Sequence, residues 1–252
     1  MRTRRLDREE EATLVEHLDE LRARLMAAIA AVAVGTAVAF AFHGRILDLL
    51  ARPLPPEHRH VVAFGVAEPF SVSVTVSLWA GLLLALPVLL WQTWSFLAPA
   101  LDSGAERRIL GLAAFGLVLG AAGLAFGYEI LVPRAVHWLV GYDPTHFRLL
   151  IRANSYYSFV ASVLLGVVCV FELPLVVLAL VNLGVLSSAG LRRNRRRGYF
   201  VVAAVALALP GPDPVTTLLE LLPMWALFEG SIWLAVLAER RAAKLALVGA
   251  GA

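Results

Sequence analysis

The chain has 252 residues, 60% of them hydrophobic and 16% charged, with a mean hydropathy of +0.76. A soluble domain is nearer half apolar and a quarter charged, and here the excess sits in long charge-free runs, so the sequence reads as one integral membrane bundle rather than a soluble enzyme. The net charge of +3 does not point to nucleic acid, because the arginines gather at the ends of the apolar runs; the single cysteine, Cys169, allows no internal disulfide and reads as a small buried apolar residue.

About 20 apolar residues are needed to cross roughly 30 Å of hydrocarbon. The first such run, span one at 22–42, follows "LVEHLDELRARL" (Leu14 to Leu25). A long charged segment precedes it, and no A-x-A site follows, so it does not read as a cleavable signal peptide. Taken as a helix, Leu14, Leu18, Leu21 and Leu25 form one apolar stripe. Glu16, Glu20 and Arg24 line another face, with Glu20 and Arg24 at the i,i+4 spacing of an ion pair. Span two, 71–98, contains Pro87, which tilts or kinks it, and carries Trp91 and Trp94 toward one interface. Span three is 109–131. Span four, 157–183, is interrupted only by Glu172. "PGPDP" (Pro210 to Pro214) must break the chain between span five, 199–209, and span six, 215–237. A span of about a dozen residues rises only about 18 Å. Either the bilayer thins beside it or the tip of the hairpin lies below the surface.

Sixteen of the 22 Lys and Arg residues fall on the N-terminus, the 99–108 loop, the 184–198 loop and the C-terminus. The positive-inside rule puts both termini in the cytoplasm. The expected fold is therefore all-α: a polytopic, single-domain protein over 1–252 with six transmembrane helices, the last two short. The outer segments, 43–70 and 132–156, are long and rich in Pro and aromatics, and read as packed caps.

Acids inside apolar spans are costly, at about 2.5–3.5 kcal/mol on insertion scales. Glu172 lies mid-span in "VVCVFELPLVV", two residues before Pro174, and reads as a polar contact for a partner helix or for cargo. Glu229 in "ALFEGSI" lies near the other end of span six and can snorkel. Asp213 and Glu220 lie near the hairpin, where Asp213 can cap span six. All six histidines fall at or beyond span ends, and no G-x-S-x-G or H-E-x-x-H occurs, so no catalytic or metal site is expected.

Seven stretches in order, "HLDELRARL" (His17 to Leu25), "ARPL" (Ala51 to Leu54), "SFLAPAL" with Glu106 beyond it, "ANSYYSFV", "FELP" (Phe171 to Pro174), "PGPDP" and "LFEG" (Leu227 to Gly230), resemble the TatC family of the twin-arginine protein translocase. The likeness covers about residues 14 to 240. It implies a receptor and core component in the cytoplasmic (inner) membrane of a prokaryote. Such a component binds twin-arginine signal peptides of folded cargo, works with single-span TatA- and TatB-type partners, associates with itself, and uses the proton-motive force without a cofactor. By this resemblance Glu20, Glu106, Arg22, Phe96 and Pro99 bind the signal peptide. Glu172, Thr217 and Glu229 make intramembrane partner contacts, and Pro53 and Asp213 serve assembly on the outer side.

The chain departs from the family pattern in places. Thr217 stands where many relatives carry Gln, which keeps a hydroxyl and loses the reach of an amide. The hairpin reads "LPGPD" where "PPD" is more usual. Apart from the resemblance, the carboxylates suit arginine ligands, because a guanidinium fork matches a carboxylate with two parallel bonds. The alternative reading is a six-span proton-coupled transporter using Glu172, which broken half-helices and an internal repeat would favour.

Overall fold

In a computed structural model, which describes residues 14–97, 105–143, 145–146, 149–209 and 213–249, the chain is helical, and no strand occurs among the described residues. The helices are α1 (Leu14–Ala41), α2 (His43–Ala51), α3 (Glu68–Leu97), α4 (Ala105–Phe126), α5 (Val132–Val140), α6 (Ala153–Phe171), α7 (Leu173–Asn182), α8 (Ser188–Arg193), α9 (Arg195–Ala208) and α10 (Pro214–Gly249). Among the described residues five stretches are long and apolar enough to cross a membrane: Asp19–Ala41, Glu68–Phe96, Leu110–Val140, Ala153–Asn182 and Pro214–Arg240. Helix α9, at 14 residues, is the short element expected between "RRNRRR" and the hairpin. Pro210, Gly211 and Pro212 of the hairpin lie outside the described residues.

The third apolar stretch runs further than its sequence suggests. A loop is expected from 132, yet α4 passes through one π turn, Gly127–Leu131, directly into α5. Pro133 explains the join. It stands in the first turn of α5, where its missing N–H costs least, and the π turn takes up the change of register before it. The fourth stretch shows the opposite behaviour. Pro174 cannot donate to the carbonyl four residues back, and the helix divides at Glu172, which ends α6 and begins α7. The Glu172 N–H is shared between the carbonyls of Val168 and Cys169, both at 3.3 Å. Helix α7 closes at Gly184, whose φ of +71° is open to glycine and strained for other residues. The amides of Val185 and Leu186 then return to the Leu180 carbonyl.

Helix α6 is the centre of the bundle. It packs on α3 and α4, while α10 packs on α7 and α9, and α1 lies against α3. The largest core joins α6 (Val160, Val163, Leu164) to α2, α3 and α5 through Leu50, Leu54, Val76, Leu131 and Val132. A second core joins α9 to α10 through Val202, Ala206, Met224, Phe228 and Ile232. Trp94 and Trp91 separate here. Trp94 is buried against Leu175 and Leu178, while Trp91 is exposed. Cys169 also reverses its expectation: it is exposed on α6 and faces away from the bundle.

The end of the bundle remote from the N-terminus is capped. The Tyr128 and Tyr156 hydroxyls donate to the carbonyls of Leu49 and Leu50 at 2.9 and 2.7 Å, which ties the last turn of α2 to α4–α5 and α6. A parallel bridge joins Val62 to Arg152: Val62 N–H donates to Ile151 (2.9 Å), and Ala153 N–H donates to Val62 (2.8 Å). The described parts of segments 43–70 and 132–156 are thus packed, as expected, and helix α5 adds a fully buried Ala135 to the second.

Candidate functional site

The residues singled out by sequence fall on two faces and one mid-bundle position. On the N-terminal face, α1 begins beside the end of α3. Arg24 donates to Glu20 Oε1 through Nε at 3.1 Å and through Nη2, and its Nη1 donates to the Gln92 carbonyl at 3.3 Å. Its guanidinium lies 6.0 Å from the centre of the Phe96 ring. A flat cation over an aromatic face is a favourable arrangement. The ion pair expected from i,i+4 spacing therefore forms, and it connects Glu20 to Phe96, which sequence alone could not bring together. The Arg24 side chain is 21% exposed and that of Glu20 is 37% exposed. Glu20 Oε2 takes no hydrogen bond from a described residue. Arg22 is exposed on the same helix. Glu106 lies on the first turn of α4 with its side chain outside the described part, and Pro99 lies outside the described residues.

At mid-bundle the helix break turns Glu172 toward α4. Gly116 and Gly120, four residues apart, leave a notch there. A Cβ at Gly116 would sit 3.0 Å from Oε2, and one at Gly120 would sit 3.1 Å from Oε1. Both oxygens are buried and accept no hydrogen bond from a described residue. Sequence reasoning does not single out the two glycines. The signal is the small residue at i and i+4 in "GLVLG", a spacing that lets helices approach in a bilayer.

Glu229 is engaged within the chain. Its Oε2 lies 3.1 Å from Arg195 Nη2, and its Oε1 accepts from the Tyr199 hydroxyl. This ties α9 to α10 near the basic end of α9. Thr217 donates its hydroxyl to the Asp213 carbonyl on its own helix at 3.1 Å. That geometry directs the hydroxyl along α10 and not outward.

On the capped face, Asp213 performs the capping expected of it. It is 1% exposed, accepts from the Thr216 N–H at 2.7 Å, and accepts from the Thr216 hydroxyl. Pro53 stands in the turn after α2, beside buried Leu54. Glu68 escapes sequence reasoning, although its place before Pro69 at a helix start is a signal for a first-turn acid. It accepts from Arg152 Nε and the Phe64 N–H, both at 2.8 Å, and from the Asn154 N–H at 3.3 Å. Hydrogen bonding to Glu68 raises the Arg152 guanidinium further above its ordinary value. Glu220 is 3% exposed and its Oε1 has no hydrogen-bond partner among the described residues. No cluster of metal-ligating side chains occurs among the described residues.

The family model "Sec-independent protein translocase protein (TatC)" matches residues 16–223. The chain is 33% identical over 224 residues to "Sec-independent protein translocase protein TatC" of Carboxydothermus hydrogenoformans, covering 88% of this chain and 92% of that one. It is 34% identical to the protein of the same name from Azotobacter chroococcum, covering 90% of each. It is 32% identical to TatCd of Bacillus subtilis, covering 92% and 94%. Among solved structures it resembles one described as "Twin Arginine Translocase Receptor- TatC in DDM", with a TM-score of 0.77 and 30% identity over 87% of this chain and 99% of that one.

Proposed function

The chain belongs to the Sec-independent protein translocase family TatC, and on that premise we propose that it is the receptor and core component of a twin-arginine translocase in the cytoplasmic membrane, with both termini in the cytoplasm. Its N-terminal face binds the paired arginines of cargo signal peptides, and its spans organise single-span TatA- and TatB-type partners and further copies of itself. The family is one of translocase proteins and not of enzymes.

The observation that carries this reading is the pairing of Glu20 with a guanidinium that is stacked at Phe96. Carboxylate, carbonyl and aromatic ring converge there on a cation of the type a twin-arginine signal would bring. Glu106 supplies the second carboxylate, so that each acid takes one arginine. A bidentate partner favours Arg over Lys, because Lys offers a point charge without the planar fork.

The test is cross-linking of a signal peptide carrying Arg-Arg to the detergent-solubilised protein. The adduct is expected to form with the wild type and to fall away with Glu20→Ala and with Glu106→Ala. An adduct unchanged in both variants sinks the receptor reading.

Glu172 is proposed as the mid-membrane contact for a partner helix or for the inserted signal peptide. Its oxygens lie in the glycine notch without a partner among the described residues, which supports a donor arriving from another chain. In transport assays Glu172→Gln is expected to be milder than Glu172→Leu, since an amide keeps hydrogen bonding. Equal loss with both counts against that role.

A further inference from the structure

We propose that Arg24 sets the specificity of the arginine site by occupying it before cargo arrives. The proposal rests on the receptor reading above and gives a role to Arg24, which that reading takes only as a sign of what the site accepts. Three contacts hold the guanidinium: the carboxylate of Glu20, the carbonyl of Gln92 and the ring of Phe96. Those are the contacts a guanidinium ligand seeks: a charged acceptor for the fork, a second acceptor for a remaining N–H, and an aromatic face. The side chain is about four-fifths buried, so the subsite is filled by the protein's own arginine.

Electrostatics make the occupancy consequential. An ion pair carries little net charge, and a cation approaching Glu20 beside Arg24 meets attraction and repulsion at similar distances. Strong binding at Glu20 therefore requires Arg24 to leave the carboxylate. The exchange is nearly balanced when the newcomer is itself a guanidinium, since it restores the fork and the stacking. An ammonium restores the charge alone, without fork or flat face. Competition with an internal arginine thus rejects lysine more strongly than an empty carboxylate would. Glu20 Oε2, which takes no hydrogen bond from a described residue, offers the newcomer a first contact before Arg24 moves.

The experiment measures binding of two peptides, one with Arg-Arg and one with Lys-Lys at the same place, to the full chain in lipid nanodiscs. The variants are Arg24→Ala, Arg24→Gln and Arg24→Lys, with the melting temperature of each recorded. The wild type is expected to prefer Arg-Arg. Arg24→Ala is expected to tighten the Lys-Lys peptide by roughly three- to tenfold, the range of one partly buried charge pair, and to narrow the ratio between the peptides. Arg24→Gln keeps a donor for the Gln92 carbonyl without the charge and is expected to do the same, which retains the test if the alanine variant fails to fold. Arg24→Lys is expected to fall between. An unchanged ratio in Arg24→Ala and Arg24→Gln, or equal weakening of both peptides, overturns the proposal and leaves the receptor reading standing. Failure of the wild type to bind the Arg-Arg peptide overturns both.

Discussion

Helix α1 and the α6–α7 stretch are both long and apolar enough to cross a membrane, yet 11% of the most apolar window of the first is buried and 56% of the second. The α6–α7 stretch is held by contact over most of its length, and residues such as Val160 and Val163 are almost fully enclosed. Helix α1 is held along one line. At Gly35 a Cβ would lie 2.6 Å from the Gly81 carbonyl oxygen, and at Gly81 one would collide with the backbone of Thr36. In lipid, apolar area alone does not drive helices together, because acyl chains are as apolar as Leu. Close backbone approach does more there, and two facing glycines provide it. The helix that bears Glu20 and Arg24 is therefore attached closely but along one side, to α3, whereas the α6–α7 stretch that bears Glu172 is packed against several helices.

Substitutions can break this contrast, and the largest effect belongs at the centre. Val160→Asp places a carboxylate at a fully buried position among apolar side chains. It is expected to cost about 3 kcal/mol or more and to abolish a cooperative melting transition in detergent.

Gly81→Val is the next test. Overpacking costs about 1–3 kcal/mol, but here the strain falls on the α1–α3 line. Peptide binding on the N-terminal face is expected to drop, while protection of α6 amides against hydrogen exchange stays unchanged. Loss of protection in α6 would show that the two helices are coupled after all.

Glu68→Gln should rank third. It removes the carboxylate that joins Arg152, Phe64 and Asn154. The melting temperature is expected to fall by less than in Gly81→Val, and the Val62 and Ala153 amides, which donate across the bridge, should exchange hydrogen faster.

The smallest effect is expected for Thr217→Ala. Its hydroxyl only returns to the carbonyl of its own helix, so stability should stay within about 0.5 kcal/mol. A large loss of partner cross-linking in that variant would show that the hydroxyl turns outward in the assembly.

Much of the fold is legible in the sequence because charge-free length and proline punctuation are one-dimensional signals. The five long stretches, the short helix before "PGPDP" and the disturbance beside Pro174 all follow from them. The Glu20–Arg24 pair follows from helical spacing. What stays hidden is the direction each side of an apolar helix faces. Trp94 and Trp91 belong to one run, and periodicity cannot assign one to protein and the other to lipid when both surroundings are apolar. The same ambiguity makes Cys169 read as buried. A helix is expected to end before Pro133 because a π turn that accommodates the proline leaves no compositional mark. The Arg24 contact with Phe96, the Glu68 contacts and the glycine notch for Glu172 are long-range, and only the folded chain brings them together.

The tyrosine ties at the remote end have a mechanical consequence. Tyr128 and Tyr156 pin the last turn of α2, and the Val62–Arg152 bridge stitches the two outer segments. On the N-terminal face one side chain, Arg24, reaches from α1 to α3, through the Gln92 carbonyl at 3.3 Å and the ring of Phe96. The bundle is thus fastened like a garment, stitched with backbone carbonyls at one end and closed by a single side chain at the other. By the proposal above, a ligand that displaces Arg24 releases that side-chain fastening of α1 and leaves the bonds to backbone carbonyls at the remote end in place.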